Sequence, residues 1–443
     1  MSEIKSVLAL NKTYPEGMKT YAFALEYDKV LAPESVSAEQ FAVIDHSYEP
    51  TVSAQIRSIV KVYTNDEKAA CQEAKPGRYV IIETSLDERA AFAIGTFKTG
   101  NVFSPYGPEP IGFPDPNKPK IPPQGPKGPG GPPKGPKPDM GYCGPKPLKV
   151  EVKQLTDLTA ADGSSIPAAQ VICTEGYNAL YEKFELLTYE DLPYNLLIPE
   201  NYDPSKKYPL LLFIPDAGNR GENPRVPLMQ GIGAAYFASD RDQKKHPCFI
   251  VAPCFDSKVI LTHDDFTFDR KMYKAKAILD QVIATYSIDT DRIYTTGQSM
   301  GCMSSCQLMN EWPDFFAGAM LVAGQWSPER CGATMNHQNL WILVSENDRK
   351  AHPGMDAVTD AILANGGSVA KSMWNAALPV EIQNEKAKEA LQEEANVHYT
   401  LFEGSSVVPA DFEDAGPGAN HVQTWRVAYQ IDTVRDWLFT CHK

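Results

Sequence analysis

A run rich in β-branched and aromatic residues, Ile293-Tyr294-Thr295-Thr296, gives way almost at once to a proline-free, helix-like run from Met300 to Glu311. Between them stands Gly297-Gln298-Ser299-Met300-Gly301. A strand that turns straight into a helix has crowded positions where bulk is not tolerated, and a glycine on each side of a serine meets that demand. A G-x-S-x-G turn of this kind holds a hydroxyl out at the end of a sheet, with the N–H of the next residue free to bind an oxyanion. An idle serine in a glycine-flanked turn has the same letters. The pattern therefore acquires meaning only if a base and an acid follow in the right places.

In a mostly parallel sheet carrying such a turn, the chain order is serine, then Asp or Glu, then histidine, the last two on loops after later strands. Of the eight histidines, those at 337, 352, 398, 421 and 442 follow Ser299. His398 lies inside the alternating strand Val397–Phe402, His442 is next to the last residue, and His337 precedes the apolar run Leu340–Val344. His352 falls on the loop where the acid is expected. His421 lies in a glycine-rich loop after the final strand and before a helix-like run, which is where the base belongs. For the acid, Asp348 follows the buried-strand pattern Leu340–Val344, with Glu346 its competitor and Asp411 and Asp414 further candidates on the last loop. Buried beside His421, Asp348 would fix the imidazole tautomer.

An oxyanion site needs a second donor from the loop after an earlier strand. Tyr208–Pro215 is an apolar run of the kind that makes a central parallel strand, and it opens into Asp216-Ala217-Gly218-Asn219-Arg220-Gly221. Backbone N–H groups of Asp216 or Ala217 are the candidates to face that of Met300. Gln298 and Trp326, the latter just beyond the strand-like Ala319–Ala323, are candidates for substrate contact.

The segments "LPYNLLIPENYDPSKKYPLLLFIPDAGNRGEN", "HPCFIVAPCF", "IDTDRIYTTGQSMGCMSS", "WPDFFAGAMLVAG", "WILVSENDRKAHPG" and "GANHVQTW" occur in this order from about residue 185 to the end. Together they resemble the α/β-hydrolase esterase group that includes feruloyl-esterase-like and polyhydroxybutyrate-depolymerase-like enzymes, often described as predicted peptidases. The resemblance implies Ser299 as nucleophile, Asp348 as acid and His421 as base. The three residues serve ester and peptide alike, so it is the resemblance alone that favours an ester, small or polymer-linked, as substrate, with a serine peptidase of the same fold as the alternative. Two positions depart from the family pattern. Pro215-Asp216-Ala217-Gly218 stands where relatives commonly carry His-Gly-Ala-Gly, and Cys302 stands where a second glycine is common. An acidic side chain beside a developing oxyanion is unfavourable unless it points away or is paired, with Arg220 the nearest candidate in sequence. That departure, with a proline-rich arm described below, motivates an alternative from another class: an inactive hydrolase domain serving binding or surface attachment.

The chain has 443 residues, 43% of them apolar, enough for a sizeable core. A net charge of −14 argues against nucleic acid as a partner. No apolar run approaches the ~18 residues of a membrane span. The first ten residues show no signal-peptide pattern, so the expectation is a cytoplasmic protein or one whose signal is already removed. Nine cysteines, without zinc-ligand spacing and several of them within apolar runs, read as buried or chance thiols, and no metal or organic cofactor is expected. Oligomeric state is not legible.

Upstream, Tyr21–Tyr27, Ile56–Tyr63 and Arg78–Thr84 are short strand-like runs separated by polar turns, which suggest a β-sandwich. With "SAEQFAV" and "VYTNDE" they are similar to the immunoglobulin-like domain that precedes the hydrolase in some members of the same esterase group. Residues 104–147 hold 16 of the 36 prolines, interleaved with glycine and lysine. Glycine recurs every third residue only from Gly125 to Gly131, which excludes a collagen helix of any length and leaves an extended insertion or linker. The expectation is an immunoglobulin-like sandwich over 1–160, carrying that insertion, followed by an α/β hydrolase with a mostly parallel sheet over 161–443.

Overall fold

The computed structural model describes residues 4–47, 53–98, 101–104, 142–230, 232–410 and 418–443. Most of the proline-rich segment, together with Asp411 and Asp414, lies outside the described residues.

The N-terminal part is a pair of packed sheets. One has the strand order Gly176–Asn178, Ile4–Tyr14, Gly17–Leu31, Gly77–Thr84, Ile59–Asn65, and the other Ala169–Cys173, Val150–Gln154, Phe41–Asp45, Gln55–Ile56. Burial alternates residue by residue along Phe41–Asp45 and Val150–Gln154, as a two-residue side-chain period requires of strands with one face inward. Phe23, Leu25, Val80 and Ile82 from one sheet and Phe41, Val43, Val150 and Val152 from the other make the core between them. The expected strand Ile56–Tyr63 is interrupted. Arg57 turns inward there, its guanidinium bonded to the Glu88 carboxylate at 2.9 Å, the Thr84 hydroxyl at 2.8 Å and the Ser85 carbonyl at 2.9 Å. Its two halves join different sheets. Because Ala169–Cys173 and Gly176–Asn178 also pair within the sandwich, we propose the division between the two units at 179–183 and not at the expected 160.

From residue 184 the chain builds one nine-stranded sheet, whose strands are numbered here in chain order: β1 (Phe184–Tyr189), β2 (Leu192–Leu197), β3 (Tyr208–Ile214), β4 (Phe249–Pro253), β5 (Ile288–Gln298), β6 (Gly318–Val322), β7 (Leu340–Ser345), β8 (Val369–Trp374) and β9 (Val397–Phe402). Their spatial order is β1-β2-β4-β3-β5-β6-β7-β9-β8. β2 runs against both neighbours and every other pairing is parallel. A parallel sheet needs cover on both faces, and β3 displays it: Leu210, Leu212 and Ile214 enter one core while Leu211 and Phe213 enter the other. Helices Tyr273–Thr285, Met300–Glu311 and Ala351–Ala364 cover the first face; Val380–Ala390, Ala419–Ala428 and Asp432–Leu438 cover the second. The edge strand β8 has mixed exposure and is not marked in the sequence, for lack of a clean apolar run.

The two units share a small core of Met18, Phe92, Ile94 and Cys143 against Val226, Met229 and Cys254. Main-chain bonds cross it, from Met18 N–H to the Met229 carbonyl at 2.8 Å and from Cys143 N–H to the Gly218 carbonyl at 2.7 Å. Among the described residues no helix is long and apolar enough to cross a membrane. Eight of the nine cysteines are buried free thiols.

Candidate active site

Ser299 sits between the last residue of β5 and the first of the Met300–Glu311 helix, with φ 53° and ψ −117°. Such a conformation is costly for any residue with a Cβ, and it persists only where the surroundings over-determine it. Here the surroundings are backbone. A Cβ on Gly301 would lie 1.8 Å from the Ile214 carbonyl oxygen, and one on Gly297 would lie 2.4 Å from the same atom. β3 therefore presses directly on the turn, and Ser299 N–H is held by the Val322 carbonyl at 3.0 Å from the other side.

His421 and Asp348 meet this serine from two further segments. His421 is in the first turn of the Ala419–Ala428 helix, slightly further into the helix than the loop expected for it, with its ring edge-on to Trp425 at 5.5 Å. Its Nε2 lies 2.8 Å from Ser299 Oγ and its Nδ1 2.6 Å from Asp348 Oδ2. An ionised carboxylate only accepts, so Nδ1 carries the ring proton and Nε2 is left to accept from the serine hydroxyl. The other oxygen of Asp348, Oδ1, accepts from the N–H groups of Lys350 at 3.1 Å and Ala351 at 3.0 Å, where the Ala351–Ala364 helix begins. Burial pushes the Asp348 carboxyl up, but the His421 hydrogen bond, electrostatic attraction to that ring and the two N–H groups outweigh it and hold it below the ordinary value.

The other candidates for acid and base have different partners. Glu346 Oε2 accepts from Gly404 N–H at 2.7 Å. His352 bonds the Glu346 carbonyl at 2.7 Å and lies 3.2 Å from Asp356. His398 is buried against Trp341 and Trp437, and that burial lowers its pKa. His337 lies beside Asn336, and His442 is exposed.

On the oxyanion side, Met300 is anchored by its carbonyl, which accepts from the hydroxyls of Ser304 at 2.7 Å and Thr262 at 3.3 Å. Among the described residues no acceptor meets the N–H of Met300 or of Ala217. The Asp216 carboxylate accepts from Gly218 N–H at 2.8 Å through Oδ1, and from the amides of Asn219 at 3.2 Å and Gln298 at 3.1 Å through Oδ2. Arg220 Nε donates to the Ala217 carbonyl at 2.7 Å.

Two expectations need correction. Trp326 is not placed for substrate contact: it is wholly buried, edge-on to Phe266 at 5.8 Å, with its indole N–H on Gln307 Oε1 at 3.2 Å. A tryptophan just beyond a strand end can point either way, and this one turns inward where a partner for its N–H exists. Gln298 is likewise wholly buried and faces Asp216, so it supports the loop and is not positioned to touch substrate. The links Gln298 to Asp216, Thr262 to Met300 and Cys143 to Gly218 are absent from the sequence reading, since each joins segments remote in the chain. A cleft of about 660 Å³, lined by Tyr273, Gln307, Asn310, Glu311, Arg330 and Thr334 among others, includes none of Ser299, His421 and Asp348.

The sheet order, with one antiparallel strand near the start and a serine elbow after the strand that neighbours β3, defines an α/β-hydrolase fold carrying an immunoglobulin-like domain in front. Comparison with known proteins agrees. Residues 6–167 match the family described as Esterase Ig-like N-terminal domain. A crystal structure of a thermostable esterase superposes with a TM-score of 0.75 over 99% of this chain and 100% of that one, at 22% identity, which shows the shared fold. Poly(3-hydroxyalkanoate) depolymerase C of Paucimonas lemoignei is 27% identical over 123 residues, 28% of this chain and 29% of that protein. Putative esterase NocK of Nocardia uniformis subsp. tsuyamanensis is 41% identical over 51 residues, 12% of this chain and 15% of that protein. The chain thus matches less than a third of the length of either curated relative. The likeness to esterases with an N-terminal immunoglobulin-like domain, expected from the sequence, is borne out.

Proposed function

We propose that this protein hydrolyses carboxylic esters through Ser299, His421 and Asp348. The single observation that carries the reading is the continuous hydrogen-bond chain from Ser299 Oγ through both imidazole nitrogens to Asp348, at 2.8 and 2.6 Å. As Ser299 Oγ bonds to the ester carbonyl carbon, its proton passes to His421 Nε2, and Asp348 stabilises the imidazolium. The negative charge moves to the carbonyl oxygen, which the N–H groups of Met300 and of Asp216 or Ala217 receive. Collapse breaks the bond to the alcohol, which leaves with the proton from His421. Water then attacks the acyl carbon, gives its proton to His421 and releases the acid, restoring the Ser299 hydroxyl. The names of the two curated relatives, a depolymerase of a polyester and a putative esterase, favour an ester over an amide.

The test is turnover of p-nitrophenyl esters from acetate to octanoate by wild type and Ser299→Ala. Activity confined to the wild type is expected, and the chain-length profile then sizes the acyl pocket. Turnover of amide substrates at a comparable rate would make the protein a peptidase. Binding of a polysaccharide or cell wall with no turnover and no reaction of Ser299 would move it to the class of binding proteins.

A further inference from the structure

Asp216 is buried, and among the described residues every hydrogen bond to its carboxylate comes from a neutral N–H. Asp216 stands at the head of the loop after β3, Gln298 is the last residue of β5, and Ser299 follows it directly. The bond from Gln298 Nε2 to Asp216 Oδ2, 3.1 Å long and buried, therefore ties the 215–218 loop to the elbow. Asp216 Oδ1 meanwhile takes the N–H of Gly218 at 2.8 Å, which closes the loop on itself around Ala217. Gly218 is gripped again from outside by Cys143 N–H, which donates to its carbonyl at 2.7 Å. The far side of Gln298 is also held, its Oε1 receiving the Tyr429 hydroxyl at 3.5 Å. The two backbone N–H groups offered to an oxyanion come from the two segments that this bond joins: Met300 beyond the elbow and Asp216 or Ala217 on the loop.

We propose that Asp216 is a positioning residue that fixes the separation of the two oxyanion donors by clamping the 215–218 loop to Gln298. The clamp rests on the ester-hydrolase reading above and deepens it. It acts where charge develops on the carbonyl oxygen, so it raises turnover and leaves the binding of ground-state ester nearly alone. The role is geometric. An asparagine at 216 keeps an oxygen for Gly218 N–H. Its amide group would meet carbonyl oxygens if the Gln298 and Asn219 amides turned over, and Asn219 Oδ1 is a buried oxygen with no donor among the described residues.

The experiment compares wild type with Asp216→Ala, Asp216→Asn and Gln298→Met, each corrected for active sites by titration. Asp216→Ala is expected to lose about 100-fold in kcat with KM within about threefold, the loss typical of one oxyanion donor. Gln298→Met is expected to lose about tenfold, and Asp216→Asn to remain within about tenfold of wild type. Unchanged kcat in Asp216→Ala, a change confined to KM, or an Asp216→Asn as impaired as Asp216→Ala would overturn the proposal. If Asp216→Ala does not fold, Gln298→Met decides: unchanged kcat sinks the clamp and reduced kcat supports it. Phosphonylation of Ser299 by a fluorophosphonate probe separates this idea from the reading it rests on, because that reaction also places an oxyanion in the site and needs no ester. Labelling of wild type that slows in Asp216→Ala and Gln298→Met supports the clamp even if no ester is turned over. Equal labelling rates sink the clamp alone, whereas a wild type that does not label at Ser299 sinks both.

Discussion

Two buried aspartates stand on loops at the carboxyl ends of strands on either side of β5, and their partners differ in kind. Asp348, after β7, gives one oxygen to the His421 imidazole and the other to two N–H groups at a helix start. Asp216, after β3, gives one oxygen to the Gly218 N–H and the other to the side-chain amides of Asn219 and Gln298. They are 4% and 7% exposed, so burial does not distinguish them. An imidazole can take up and return a proton during a reaction, and an amide cannot. On the function proposed above, the same side chain is coupled to proton transfer in one loop and confined to holding geometry in the other.

The sharpest way to break this contrast begins with the atom both loops serve. Ser299→Ala is expected to lower kcat by about 10⁵ to 10⁶, because a missing nucleophile leaves only binding and oxyanion stabilisation. Steady-state kinetics on p-nitrophenyl acetate measures it, and residual activity within tenfold of wild type would place the chemistry elsewhere. Asp348→Asn should cost about 10⁴ in kcat through loss of the correct imidazole tautomer, well beyond any Asp216 substitution. Were Asp216→Asn the more damaging of the two, the assignment of roles would have to be exchanged.

Smaller effects sharpen the comparison. Gly301→Ala forces a methyl onto the Ile214 carbonyl at 1.8 Å, so the elbow and β3 must separate. It is expected to destabilise by about 2–3 kcal/mol in urea unfolding, with activity falling alongside, since the oxyanion donors part as the strand moves. The smallest expected effect concerns pH. The folded Asp348 carboxyl lies below its ordinary value of 3.8, so its contribution to stability is present above that value and is lost as pH falls through the lower, folded one. Asp348→Asn should therefore show a smaller drop in unfolding midpoint between pH 5 and pH 3 than wild type. An identical drop in both would mean that Asp348 gains nothing from its partners on folding.

How far the site could be read in advance depends on which relation is asked for. The order Ser299, Asp348, His421 and the position of each after a strand follow from apolar runs and turn residues, because strands announce themselves locally. The departure at Asp216 was also visible, but its resolution was not: the sequence suggested Arg220 as the nearest partner, while the carboxylate meets Gln298, 82 residues on. Trp326 shows the same limit from the apolar side. Its place after β6 is local information, whereas its burial against Phe266 depends on a loop 60 residues earlier. The sandwich was legible as alternating strands, yet the strand expected at Ile56–Tyr63 divides between two sheets because Arg57 finds five acceptors inside, all of them 27 to 37 residues away in the chain.

What the sequence by itself determined is the set of local commitments. A serine between two glycines can turn a strand into a helix, the apolar run Tyr208–Pro215 demands a strand covered on both sides, and turn residues place Asp348 and His421 beyond strand ends. What only the tertiary structure decided is which of these commitments touch: the 2.8 Å and 2.6 Å contacts that join three separate segments, the amide that holds Asp216, and the Cys143 N–H from the N-terminal unit on Gly218. The reason is physical. Backbone preferences act over a few residues, whereas hydrogen bonds between loops exist only after the sheet has set the spacing of the strands that carry them.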